Sequence, residues 1–222
     1  MSNDVAAEAL VKPRLRGVLH QCAAVVAVVI AVYFAVTAPD GRSRAAALVF
    51  CASLFTLFSV SATYHRVHWQ TAAARAWMRR ADHASIFVLI AGTYTPIALV
   101  GLPEALGNRL MLIVWSGALI GVLQSLFWIH APKAVAAVLA VALGWSVTLY
   151  WTETRAALTD AEMLLLFMGG VFYTIGAVAY AAKRPALWPK TFGYHELFHA
   201  CTLVAAALHT VAVDSVIGRS GG

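Results

Sequence analysis

Residues 45–65 read AAALVFCASLFTLFSVSATYH, 21 positions without an acidic or basic charge between Arg44 and Arg66. At a rise of about 1.5 Å per residue, such a run crosses a hydrocarbon layer of about 30 Å as a single helix. Five further uncharged runs resemble it in length: from Arg16 to Asp40, Asp82 to Glu104, Arg109 to Lys133, Lys133 to Glu153 and Glu162 to Lys183. A seventh, between Glu196 and Asp214, holds only 17 positions. It reaches spanning length if its helix begins near Phe192 and turns His195, Glu196 and His199 toward the bundle interior, where ionisable groups find partners. The pattern predicts an all-α membrane protein, a bundle of seven transmembrane helices at about 17–39, 45–65, 83–103, 110–131, 133–152, 162–182 and 192–213. A basic segment, 1–16, precedes the bundle, a short tail, 216–222, follows it, and no room is left for a second domain.

Composition agrees. Of 222 residues, 61% are hydrophobic and 12% charged, which excludes an ordinary soluble fold and a disordered chain. Three cysteines, Cys22, Cys51 and Cys201, all fall in predicted helices without CxxC spacing, so neither a disulfide framework nor a cysteine metal site is expected. The net charge of +6 raises the question of nucleic acid, but the cations gather by membrane side instead. Eleven of the 16 lysines and arginines fall in the N-terminal segment and in the loops after the second, fourth and sixth helices. The positive-inside rule therefore places the N-terminus in the cytoplasm and the C-terminus outside. Within the loop from His65 to Asp82, the basic and aromatic stretch Arg75, Trp77, Arg79 and Arg80 suits an anionic headgroup surface. The first run is too long for a signal peptide core and reads as the first helix.

The polar residues inside these helices share one depth. Ser61 and His65 lie four apart, and so on one helix face, near the cytoplasmic end of the second helix. Asp82 and His83 open the third helix on that side, and His195 and His199, again four apart, open the seventh. Neutral imidazole is the commonest zinc ligand, and a catalytic zinc site offers three protein ligands and an open position. His195 and His199 supply two ligands from one helix, and His65 the third. Asp82 then suits the general base of a metal-activated water, and Ser61 a hydrogen-bond donor to that water or to a substrate carbonyl. Taken singly, each has a plainer reading: an interfacial histidine pair, a packing hydroxyl, or a carboxylate capping the third helix.

The other polar groups are assigned lesser roles. His20 and His130 are read as interfacial, and His68 and His83 as neighbours able to replace a ligand. His209 shares the face of His195 about four turns deeper. Thr93, Tyr94, Thr95 and Pro96 predict a kink whose lost backbone bond is met by hydroxyls. Gln124 reads as a polar contact between helices, and Gly169, Gly170 and Gly176 as sites of close helix approach.

Three stretches carry a family resemblance: Ser61-Ala-Thr-Tyr-His65, Asp82 through Pro96, and His195-Glu-Leu-Phe-His199. They resemble the signatures of the hemolysin III proteins, the bacterial branch of the progestin and adipoQ receptor family, whose wider superfamily includes alkaline ceramidases. The resemblance implies zinc near the cytoplasmic leaflet on His65, His195 and His199, with Asp82 and Ser61 beside it. It also implies residence in the bacterial inner membrane, membrane lipids as partners and action on a lipid amide or ester. A membrane sensor with structural zinc is the alternative, and a cytolysin or pore, suggested by the family name, a third. Neither a secretion signal nor an amphipathic strand pattern supports the pore.

Overall fold

A computed structural model describes residues 13–39, 41–128, 131–185, 187–188 and 190–220. The basic N-terminal stretch through Lys12 and the interfacial assignment of His130 lie outside the described residues. The chain forms α1 (Val18–Thr37), α2 (Arg42–Arg66), α3 (Ala72–Pro96), α4 (Glu104–Phe127), α5 (Lys133–Gly144), α6 (Trp151–Ala157), α7 (Asp160–Ala182) and α8 (Tyr194–Arg219). The short α6 completes the fifth crossing begun by α5. Seven spans among the described residues are thus long and apolar enough to cross a membrane.

Burial orders the spans. In α3 with its following turn, 61% of the apolar window is buried within the bundle, against 6% for the fifth span, Ala134–Ala157. The third helix is the central post, and the fifth stands at the edge. Its two outward neighbours in sequence, α4 and α7, are intermediate, with 28% buried in each. On α1, Val25, Val29, Val32 and Val36 turn outward, the face expected where the surrounding solvent is hydrocarbon.

Charge gaps misplace the start of α3. It begins at Ala72, capped by the Thr71 hydroxyl, which accepts from the Ala74 amide at 3.1 Å. The segment between His65 and Asp82 is therefore mostly helix, and Asp82 sits three turns inside α3 rather than at its cap. Arginines end an uncharged run, but they are good helix formers and do not end a helix at an interface. At the other end of the chain, α8 continues to Arg219, into the stretch read as tail.

Two helix breaks are answered locally. At Pro96, α3 passes into a π-helical turn, Ile97–Gly101, while the Thr93 and Thr95 hydroxyls each donate at 2.8 Å to the Leu89 and Ala91 carbonyls. The fifth span opens after Gly144 into a 3-10 turn, Ser146–Tyr150. There the Tyr94 hydroxyl donates to the Gly144 carbonyl at 2.6 Å and accepts from the Val147 amide at 3.1 Å. A single phenol on the central helix thus meets backbone groups freed by the break, as irregular backbone within a membrane requires.

Ion pairs lock the last helix at both ends. Near its start, Arg16 pairs with buried Glu196, whose other oxygen accepts from the Gly193 amide at 2.9 Å. Residues 14 and 15 pair through their amides with the Lys190 and Thr191 carbonyls, which draws the chain before α1 across the start of α8. Near its finish, Arg219 binds fully buried Glu162 through two nitrogens, at 2.8 and 2.9 Å, and Ser215 donates to the same carboxylate at 2.7 Å. Glu162 also closes a capping box with Thr159 at the start of α7.

Candidate metal centre

Three helices deliver the site at the bundle end where α1, α3 and α8 begin. His65 comes from the last turn of α2, His195 and His199 from the first two turns of α8, and Asp82 from α3. The ligand nitrogens of His65, His195 and His199 all lie within 4.8 Å of one another. The Nε2 atoms of His65 and His195 are 3.1 Å apart. Two imidazole nitrogens facing each other at that distance share either a proton or a cation. Tetrahedral coordination at about 2.0–2.1 Å would space the nitrogens about 3.3 Å apart, so the donor set fits zinc in number and type, and the His65–His195 pair in spacing.

The carboxylate lies alongside. Asp82 Oδ2 is 3.9 Å from His65 Nε2, and Ser61 stands one turn before His65 on the same face of α2. Ser61, His65 and His199 are buried and Asp82 is at the edge of burial. All five side chains border one cavity of about 1090 Å³. The histidines and Asp82 occupy its end nearest the starts of α1 and α8, and apolar and aromatic groups continue it along the bundle. Asp82 is the only carboxylate on the described lining. A site of this composition can hold a divalent cation, keep a carboxylate ready to exchange a proton, and admit a hydrocarbon chain.

His20 corrects the interfacial reading. It is 2% exposed, and its ring stacks on that of His199 with centroids 3.8 Å apart and planes 7° from parallel. The backbone brings it there through Gly17, whose φ of 81° is costly for other residues and whose hypothetical Cβ would lie 2.7 Å from His65 Cβ. A sequence signal existed: Gly17 and His20 stand one turn apart at the depth already assigned to the site. Tyr180, its ring 5.4 Å from that of His195, was missed because nothing in α7 marks it.

Other expected residues divide. His68 and His83 line the cavity but stand outside the described cluster of converging ligand atoms. His209 lines the cavity's deeper part, where its Nε2 donates to the Leu166 carbonyl at 3.1 Å. Gly169 permits that approach, since a Cβ there would meet the His209 ring at 2.2 Å. Gln124 is no contact between helices: its buried Oε1 has no partner among the described residues, and the side chain faces the cavity.

The chain is similar to known proteins over most of its length. The family model described as "Haemolysin-III related" matches residues 8–210. The Hemolysin-3 homolog of Bacillus subtilis (strain 168) is 32% identical over 160 residues, covering 72% of this chain and 71% of the relative. Hemolysin-3 of Bacillus cereus is 29% identical over 160 residues, 72% of this chain and 69% of that one. The Monocyte to macrophage differentiation factor of Homo sapiens is 25% identical over 184 residues, covering 82% and 74% of the two chains.

Proposed function

The chain belongs to the haemolysin-III related family of multi-pass membrane proteins, and from that premise we propose that it is a zinc-dependent hydrolase of a lipid amide or ester. The observation that carries the reading is the convergence of three imidazoles within 4.8 Å, with one carboxylate beside them, at the end of a cavity large enough for a lipid chain. A site serving stability alone would fill its remaining position with a fourth protein ligand. Here Asp82 lies 3.9 Å from His65, and both border the cavity.

His65, His195 and His199 would hold the ion. When bound, zinc supplies Lewis acidity toward a carbonyl and makes water nucleophilic near neutral pH. Asp82 takes a proton from the attacking water on its carboxylate and returns it to the leaving nitrogen or oxygen as the carbonyl carbon's bond to that atom breaks. Ser61, one turn from His65 on the cavity wall, donates its hydroxyl to that water or to the substrate carbonyl. The apolar lining takes the acyl chain and limits water at the reacting carbonyl. In this reading the N-terminus faces the cytoplasm, so the site meets the inner leaflet of a bacterial inner membrane, and turnover would contribute to lipid homeostasis.

The test is turnover by the purified, zinc-loaded protein of ceramide and of diacyl phospholipid, with released fatty acid measured by mass spectrometry. Release by the wild type, lost in Asp82→Asn at equal zinc content, is the expected result. Equal release by both proteins removes Asp82 from the mechanism, and no release from any lipid amide or ester leaves the reading without support.

A further inference from the structure

The part of α3 that precedes Asp82 carries three arginines, and the helix sorts them onto two faces. Trp77 is 60% exposed, and the Arg80 guanidinium lies 4.5 Å over its ring, the i, i+3 arrangement of an outer face. Neither residue borders the cavity. Arg75 and Arg79, four apart, do border it, together with the histidine cluster and Asp82. On this cavity-bordering face Arg75 is exposed and Arg79 half-buried.

The balance of charge at this end of the cavity is cationic. Arg16, Arg75 and Arg79 are its arginines, with His68 and His83 nearby, and Asp82 is the only carboxylate on the described lining. Arg16 is matched by Glu196. A cavity walled by low-dielectric side chains concentrates such a field toward any anion entering it.

Position along the helix then fixes what the anion is attached to. Arg79 precedes Asp82 by about 4.5 Å of helix rise and Arg75 by about 10 Å. A lipid whose carbonyl lies at the histidine cluster, with its chain along the apolar lining, carries its headgroup back through this interval.

We infer that Arg75 and Arg79 form a headgroup subsite that selects lipids bearing an anionic phosphate headgroup. This rests on the reading that the cavity takes a lipid, and it names the class of lipid. Guanidinium groups match phosphate oxygens with two parallel donors each, whereas a zwitterionic headgroup brings its own cation into the same field.

The experiment measures retention and does not depend on turnover. Zinc-loaded protein in detergent is mixed with equal amounts of dioleoyl phosphatidylglycerol and dioleoyl phosphatidylcholine, and bound lipid is counted by native mass spectrometry. The wild type retains phosphatidylglycerol about tenfold over phosphatidylcholine, the scale of one or two charge-assisted hydrogen bonds. The double variant Arg75→Gln, Arg79→Gln retains both about equally with its zinc content unchanged, while Arg80→Gln keeps the preference. Equal retention of both lipids by the wild type overturns the subsite alone. Retention of neither lipid overturns the lipid-filled cavity together with the subsite. Equal loss of preference in Arg80→Gln also overturns the proposal and assigns the effect to general surface charge. Millimolar inorganic phosphate leaves the preference intact; complete displacement by phosphate assigns the arginines to free anions instead.

Discussion

The His20 ring stacks on that of His199, with centroids 3.8 Å apart and planes 7° from parallel, so the first helix braces a candidate metal-binding side chain of the last. Both rings are buried, and neither nitrogen of His20 has a partner among the described residues. Its contribution is therefore contact area and orientation rather than hydrogen bonding.

Phenylalanine preserves that contact and alanine does not. His20→Phe is expected to keep the metal affinity within about twofold of the wild type, whereas His20→Ala weakens it about tenfold, the low end for groups that orient a metal ligand. Competitive chelator titration measures both, and the visible spectrum of the cobalt-substituted protein should broaden only in the alanine variant. Equal affinities would remove the orienting role.

Gly17→Ala places a methyl against His65 in a backbone conformation that alanine disfavours. A loss of about 1–3 kcal/mol is expected from strain at one such residue. Thermal unfolding in detergent measures it, and metal affinity should fall in step, because the displaced atom belongs to His65. An unchanged melting temperature would show that the chain before α1 is not held against the site.

Tyr94→Phe removes the hydroxyl that bridges Gly144 and Val147. The unmet backbone groups cost about 1–3 kcal/mol in an apolar surrounding. Limited proteolysis should then open the fifth span at residues 144–150 ahead of any other site, and wild-type resistance there would contradict the bridge.

Glu162→Gln keeps the shape of the α7–α8 junction but removes the charge that Arg219 meets with two nitrogens. Arg219 is half-exposed, so the expected loss is only about 1–2 kcal/mol in thermal unfolding. Zinc content should not change, because this pair is at the opposite end of α8 from His195 and His199.

Most of the bundle could be read directly, because membrane spans are set by length and missing charge and both are explicit in the chain. Ser61, His65, Asp82, His195 and His199 could be brought to one depth by counting spans, since a helix rise converts residue number into depth. Counting does not convert number into azimuth. Sequence alone therefore leaves His20 at the interface, although its depth matches the cluster. Nor does it show how a helix is repaired. In sequence Tyr94 belongs to the kink at Pro96, while its hydroxyl serves a break 50 residues later. Arg75 and Arg80 looked alike in the chain, and only the orientation of α3 separates the one facing the cavity from the one lying over Trp77.

If His65, His195 and His199 hold one metal ion, elemental analysis of the purified protein will count it. The wild type and Asp82→Asn should each carry about one zinc per chain, as a three-histidine site requires. His65→Ala, His195→Ala and His199→Ala should each lose most of it while remaining folded by circular dichroism. Zinc retained in full by all three histidine variants, or absent from the wild type after zinc-supplemented expression, would mean that these histidines hold no metal ion.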